Sequence, residues 1–407
     1  MIWDVIIVGA GIAGLHVGIE TLKLHPKSHV LILEKYNYVG GRIVTYRHKG
    51  NQWEIGAGRI AANHKKVLGL MTRYGLHSVP IGTGESNRIL HNEIVPNPFS
   101  SLMSTYLSPL FFLPDSVLAS HTLADLLKDI HGSKKAAEFY HLFPYWAEIH
   151  LMRADYALKS FMSEFAGTTE FYGCAEGLGS ITDHMAAEFK ERGGTIRTEA
   201  ELVRVEDGGK TLFLKDEKLE TRTTVLALHS DALKKLTTIV PKMPFLKHLQ
   251  MSPLVRMYAV FPTSWFKEVG RIVTENPVRY IIPVNPKKHI VMISYTDGKD
   301  ASHWMRRQKE VGDKGVQKEV MTEIRKLFPD ISIPDPTLFK IYPWTSGCTY
   351  WLPSSTPFDP ADVSLHIDKH LFVCGESVST NQAWMEGALD SAFKLLTEKA
   401  FRDCIDI

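Results

Sequence analysis

Gly9-Ala10-Gly11-Ile12-Ala13-Gly14 is the stretch that decides the fold of this 407-residue chain. The apolar run from Trp3 to Val8 before it predicts a short strand, and Ile12 to Leu24 after it predicts a helix that stops before Pro26. His29 to Leu33 predicts a second buried strand, closed by Glu34. Strand, glycine turn, helix and strand make a βαβ unit, so the glycines fall at a strand-to-helix turn, where their spacing has physical meaning. Gly9 permits the tight turn, Gly11 lets the backbone approach a pyrophosphate, and Gly14 lets helix and strand pack closely. Ile12 and Ala13 open a helix whose free N–H groups and partial positive charge suit phosphates. Glu34 lies 20 positions after Gly14 and would accept hydrogen bonds from a ribose 2′-OH while repelling a 2′-phosphate. The expected ligand is FAD or NAD rather than NADP, with Glu34 and the adjacent Lys35 among the residues that hold it.

Two more blocks extend this reading to both ends of the chain. Gly40-Gly41-Arg42 follows the second strand, and near the other terminus stand Gly375-Glu376 and Trp384-Met385-Glu386-Gly387-Ala388, a strand end leading into a helix. Together they describe one long dinucleotide held from both termini, with the middle of the chain left to shape a substrate pocket. That is the layout of a flavoprotein oxidase.

Bulk composition is compatible with this layout. The chain is 44% hydrophobic and 23% charged, long enough for two cored domains, and its net charge of +2 gives no general pull on nucleic acid or acidic membranes. No apolar run reaches the roughly 18 residues a membrane span needs. Met1-Ile2-Trp3-Asp4 leads straight into a strand, so no secretory leader is expected. The four cysteines form no CxxC pair, which predicts reduced thiols and a cytoplasmic setting. His366 and His370 have a spacing that binds zinc on a helix, but they lead into the strand Leu371 to Cys374, so no metal is expected.

Along the middle of the chain, helical periodicity covers Leu123 to Ile130, Ala136 to Trp146 and Ala157 to Phe165, and a helix is predicted from Ile181 to Lys190. Short strands are predicted at 195–197, 200–205, 211–214 and 224–228, then sheet strands at Leu254 to Phe261 and His289 to Tyr295. The helix Lys314 to Phe328 precedes a turn rich in proline and aromatics from Pro334 to Pro360. The expected architecture is α/β: a Rossmann-type FAD-binding domain (1–75, 166–250, 345–407) interleaved with an α+β substrate domain (76–165, 251–344).

These blocks resemble the flavin amine oxidase family, which includes monoamine and polyamine oxidases, L-amino-acid oxidases and, more distantly, protoporphyrinogen oxidase and the desaturases. The matching segments are Val8 to Leu15, Glu34 with Gly40-Gly41-Arg42, Gly56-Ala57-Gly58-Arg59, Gly194 to Val205, and the C-terminal blocks. The resemblance implies that Arg42 binds the pyrophosphate, that Val203 offers backbone contacts to the adenine, and that Glu376 meets the ribitol or lies next to the pyrophosphate. It implies that the Met385 N–H, beside Ala388 on the same helix, faces the flavin pyrimidine edge. Gly56, Ala57, Gly58 and Arg59 would pass close to the isoalloxazine.

For the substrate, the resemblance places Trp384 beside the reacting nitrogen, with a second aromatic wall from Trp344, Tyr350 or Trp351. Arg59 matches the arginine that holds the substrate carboxylate in L-amino-acid oxidases; its alternatives are a flavin phosphate or an internal carboxylate. Arg256 stands where many amine oxidases carry a lysine that helps O2 react. Cys348 resembles the cysteine that monoamine oxidases bond to FAD, but its spacing is one residue short, so FAD is expected to be non-covalent. The implied activity is FAD-dependent oxidation of an amine or L-amino acid to an imine, with O2 reduced to H2O2. The alternatives are a desaturase or protoporphyrinogen-type oxidase, or a flavin-binding protein without oxidase activity. The expected partners are the small substrate and O2, with an oligomer allowed. Acidic Glu148, Asp155 or Glu164 would attract a polyamine if they face the pocket, and Pro109 to Pro114 is an apolar hexamer that would suit a lid or a membrane contact.

Overall fold

The computed structural model describes residues 2–82, 85–91, 93–164 and 170–406. The chain divides into two compact units, one of Met1–Pro80, Tyr172–Gln250 and Phe358–Ile407, the other of Ile81–Phe171 and Met251–Pro357.

The first unit is built on an eight-stranded sheet. Its parallel centre runs from Thr195–Arg197 through β2 (Val30–Leu33), β1 (Ile2–Val8) and β3 (Lys218–Leu226) to β4 (Leu371–Val373). Val8 pairs with Leu33 and with Leu226, and Leu226 with Val373, so these carboxyl ends stop in register. Residues following these ends (Gly9, Glu34, Ala227 and Cys374) therefore share one rim, the edge at which open α/β sheets bind ligands. β1 is fully buried from Val5 to Val8 and β2 throughout, as expected of parallel strands covered on both faces. Helix α1 (Ile12–Leu24) is buried along most of its length because it packs against two other helices as well as the sheet. Those helices are Gly179–Glu191 and α3 (Met385–Thr397). A shorter helix, α2 (Lys65–Arg73), also packs on α3.

The second unit contains a seven-stranded sheet in the order Leu338–Trp351, Leu249–Val260, Ile290–Asp297, Tyr280–Asn285, Ile272–Val273, Ser86–Leu90 and Glu93–Asn97. Val255, Met257, Ile281, Val291 and Ile293 from this sheet form a core with Trp304, Val316, Val320 and Ile324.

Several segments differ from the sequence-based expectation, each for a physical reason. The expected turn at Pro334 to Pro360 contains the 14-residue strand Leu338–Trp351. Pro343 and Gly347 hide it: proline is tolerated because this is an edge strand, and Gly347 is needed because a Cβ there would lie 2.7 Å from that of Leu254. That strand carries residues 345–357 into the second unit, whereas the sequence reading put them in the FAD-binding domain. The helix expected from Ala136 stops at Leu142, because Phe143 precedes Pro144 and is extended (φ −114°, ψ 131°). The strand expected from Ala200 begins only at Arg204. The helix expected from Lys314 is the second arm of Gly298–Leu327, which is interrupted at Gly312 (φ 68°, ψ 176°). Arg307 Nε donates to Glu319 Oε2 at 3.0 Å, a contact that twelve residues of straight helix, about 18 Å, would forbid. The chain folds back at Gly312 into a helical hairpin. Helix Ala154–Glu164 covers the segment expected from Ala157; Phe165 and the Glu164 side chain lie outside the described residues.

Candidate functional site

Gly9, Gly11 and Gly14 open the rim of the first unit for three distinct reasons. Gly9 has φ +108°, and a Cβ there would lie 2.5 Å from the Ala227 carbonyl oxygen. A Cβ on Gly14 would lie 2.0 Å from the Gly9 carbonyl oxygen, so this glycine is demanded by close packing. Gly11 differs: its φ of −77° suits any residue, and a Cβ would meet no protein atom within 4 Å. Neither backbone strain nor packing accounts for it, whereas a ligand passing over its Cα does. Gly41 (φ +59°) faces the same spot, its Cβ position being 3.6 Å from the Gly11 Cα. α1 begins with Ile12 and Ala13, without a capping side chain or an acidic residue in its first turn, which leaves its N–H groups to an anion. These residues fit a dinucleotide.

Around this cradle the expected side chains take definite partners. Glu34 is buried; its Oε2 accepts from the Ala10 N–H and its Oε1 from the Tyr36 N–H, each at 2.9 Å. The carboxylate is thus aimed and retains lone pairs for a ribose. Lys35 points away to an exposed ion pair with Glu201 at 2.7 Å. Val203 is 55% exposed and its N–H donates to Phe213, so its carbonyl is the group left for an adenine contact. Arg42 pairs with the buried Glu376 at 2.9 Å, and the other Glu376 oxygen accepts the Ala383 N–H at 2.9 Å. Gly375 has φ +119°, and its N–H donates to Ser391.

Trp384 sits at the start of α3, directly after Ala383, which holds a left-handed backbone (φ +66°) unusual for a residue with a Cβ. The Arg59 guanidinium lies 5.3 Å from the centre of the Trp384 ring. The His64 ring meets it at 4.8 Å and 69°. His64 is buried, and its Nδ1 accepts the Ala61 N–H at 3.2 Å, so a neutral ring carries its proton on Nε2. Glu386 braces the corner: its two oxygens accept the Lys66 and Val67 N–H groups, each at 2.9 Å, capping α2 from α3. Met385 and Ala388 are buried on α3 beside it. Ala57 donates its N–H to the Arg42 carbonyl, which ties the Gly56-Ala57-Gly58 turn to the Gly40-Gly41-Arg42 turn.

The second unit carries the remaining expected residues. Arg256 pairs across the sheet with Tyr295, and its guanidinium lies 4.8 Å from that ring. Burial works against the Arg256 charge, but the phenol oxygens of Tyr258 and Tyr295 more than offset it, and its pKa rises. Burial likewise pushes the Tyr295 hydroxyl up, opposed by Arg256. The charge at Arg256 is therefore permanent, where a lysine could lose its proton. Tyr350 donates to Glu148 Oε1 at 3.3 Å. Trp344, Cys348 and Tyr350 alternate onto one face of their strand, whereas Trp351 falls on the other and is fully buried. Of the three aromatic candidates, Tyr350 and Trp351 are buried and Trp344 is half-buried. Asp155 is held by Arg153 through two hydrogen bonds of 2.7 Å. In the apolar hexamer Leu110 is buried while Phe112 is 89% exposed. Among the described residues no helix is long and apolar enough to cross a membrane.

Sequence reasoning passed over His64 and His229. Each is a lone histidine in a loop, and only the folded chain gives either one a defined neighbour.

The profile of the flavin containing amine oxidoreductases matches residues 20–394. The chain belongs to that family. It is 21% identical to an L-amino-acid oxidase of Siganus canaliculatus over 97% of this chain and 84% of that protein. It is 22% identical to amine oxidase [flavin-containing] A of Equus caballus over 65% of this chain, spanning 58% of that enzyme's length. Among solved structures, cyclohexylamine oxidase from Brevibacterium oxydans IH-35A superposes with a TM-score of 0.75 at 18% identity, covering 100% of this chain and 99% of that one. A putrescine oxidase bound to putrescine gives 0.73 at 16% identity, with 100% and 99% covered. The two-domain α/β fold and the flavin oxidoreductase class expected from the sequence are those of these relatives.

Proposed function

We propose that this chain is an FAD-dependent oxidase of L-amino acids, holding its cofactor non-covalently. The observation that carries the choice of substrate is the Arg59 guanidinium over the Trp384 ring, 5.3 Å from its centre. The indole face draws the guanidinium to this corner, and a planar guanidinium suits a carboxylate bidentately. A substrate carboxylate held there would place the adjacent α-carbon and its amino group beside Trp384. A simple amine would offer a second cation to a ring that already carries one.

The bound flavin would accept a hydride equivalent from the α-carbon and pass two electrons to O2, giving H2O2. The chain's own residues orient and insulate. Arg42 and the start of α1 hold the diphosphate, and Glu34 holds the ribose. The N–H of Met385, at the start of α3, stabilises negative charge on the cofactor ring. Trp384 shields the amino group from water. The substrate enters with a neutral amine, so no residue need remove a proton in the oxidation. The imino acid left behind is hydrolysed to a keto acid and ammonia. Arg256, with its permanent charge, is assigned to electrostatic support of O2 reduction.

The test compares an L-amino acid with its decarboxylated amine on wild type, Arg59→Lys and Trp384→Ala. Arg59→Lys should raise the KM for the amino acid at least tenfold and leave FAD affinity at the wild-type level; a matching loss of FAD would make Arg59 a flavin-side residue. Trp384→Ala should lower kcat more than FAD content, and the reverse would move Trp384 out of the pocket.

A further inference from the structure

We propose that His229 donates a hydrogen bond from Nε2 to a diphosphate oxygen of the flavin dinucleotide. The inference rests on the flavoprotein reading above and adds a residue to its cofactor site. β3 ends at Leu226, in register with the ends of β1 and β4, and His229 follows three residues on, at the ligand-binding rim of the sheet. Its neighbour Ser230 donates its N–H to Ser377 Oγ at 2.9 Å, which ties this turn to Gly375-Glu376-Ser377. The Leu228 carbonyl oxygen lies 3.8 Å from the Cβ position of Gly375. Arg42 and Glu376 are the charged groups that act on the His229 ring from the turns that follow β2 and β4, with Asp231 and Lys235 on its own segment.

The tautomer is fixed by a hydrogen bond. His229 Nδ1 accepts the Ala232 N–H at 3.3 Å, capping the short helix Ser230–Leu233. A neutral ring in this position must carry its proton on Nε2. Burial, and then Arg42, lower the His229 pKa to about 4, so the ring is neutral at physiological pH. Among the described residues Nε2 has no protein partner. The residue thus presents one oriented, uncharged donor within electrostatic reach of the Arg42 guanidinium. A diphosphate takes such a pair well: the arginine supplies charge and the imidazole supplies direction without a second cation to desolvate.

Two near-isosteric substitutions separate this role from helix capping. Asn places an acceptor where Nδ1 was, and keeps the cap, but has nothing at the Nε2 position. Gln reaches the Nε2 position with an amide N–H and abandons the cap. FAD dissociation is measured by flavin fluorescence on dilution of the holoenzyme, together with displacement of FAD by ADP, which carries the adenosine and the diphosphate without the flavin. His229→Asn should weaken FAD and ADP alike by about fivefold to tenfold, the loss of one hydrogen bond, while His229→Gln stays within about twofold of wild type. Weakening by Gln but not by Asn would leave His229 as a cap only and overturn the proposal. Weaker FAD with unchanged ADP would overturn the diphosphate assignment. A wild-type protein that binds no FAD would sink the flavoprotein reading itself, an outcome distinct from wild-type affinity in His229→Asn.

Discussion

Gly11 and Gly14 belong to one motif but answer to different forces, and alanine at each position separates them. At Gly11 the backbone (φ −77°, ψ 176°) accepts a Cβ, which would meet no protein atom. Alanine there gains about 0.4–1 kcal/mol by restricting the unfolded chain and loses a similar amount because alanine is a poorer N-cap than glycine. The apoprotein should therefore melt within about 2 °C of wild type. On the proposed cofactor site the same methyl group would stand in the path of the diphosphate, and FAD affinity should fall at least tenfold, about 1.4 kcal/mol. At Gly14 a Cβ would stand 2.0 Å from the Gly9 carbonyl oxygen and 3.2 Å from Ala227 and Ile7 side-chain atoms. Backbone must move, at a cost of about 3 kcal/mol, and the apoprotein should melt about 3–4 °C lower. The assay is differential scanning calorimetry of the flavin-free proteins beside FAD titration by fluorescence. Gly11→Ala that destabilises as much as Gly14→Ala would assign both glycines to packing. Gly11→Ala with wild-type FAD affinity would remove the ligand from this rim.

Three further outcomes follow from named contacts. Glu386→Ala strips two charge-assisted hydrogen bonds from the start of α2 and should cost about 3 kcal/mol in thermal unfolding, whereas Lys66→Ala, which removes the part-exposed pair with Asp390, should cost under about 1 kcal/mol; equal losses would refute the capping role. His16 is buried on α1 against Phe393, and burial lowers its pKa from 6.5 to about 4. Between those values the unfolded chain takes a proton that the native state refuses, so stability falls as pH drops from 6.5 to 4, by up to about 3 kcal/mol. His16→Leu should flatten that part of the urea-denaturation pH profile, and an unchanged slope would place the dependence elsewhere. Ala383→Gly relieves the left-handed backbone before Trp384 and should stabilise the first unit by about 0.5–1 kcal/mol net of glycine's added chain entropy, read as a raised urea midpoint; a loss would mean the strain is absent.

What the sequence disclosed about this fold tracks how local its signals are. The βαβ unit was legible because strand, glycines, helix and acid fall within residues 3–34, with steric causes at Gly9 and Gly14 and open space at Gly11. The strand Leu338–Trp351 was not, since Pro343 and Gly347 are strand breakers except at an edge packed closely on Leu254, which is a tertiary fact. The hairpin at Gly312 was half legible: its second arm has apolar spacing at Val316, Val320 and Ile324, while its first arm buries little beyond Ala301 and Trp304. In the site, Arg42 and Glu376 could be named from their motifs, but not their pairing across more than 300 positions of chain. The Arg59–Trp384–His64 corner joins residues from opposite ends of the sequence, so no window contains it. Trp351 could not be told from Tyr350 until the strand register put them on opposite faces.

The most direct test of the central claim is anaerobic reduction of the wild-type flavin, followed by its visible absorbance, with L-amino acids in one panel and the matching decarboxylated amines in another. Bleaching by amino acids and not by their amines is the predicted result, and it would give Arg59 the carboxylate. Bleaching by the amines alone, or by neither panel, would contradict an amino-acid oxidase built around the Arg59–Trp384 pair.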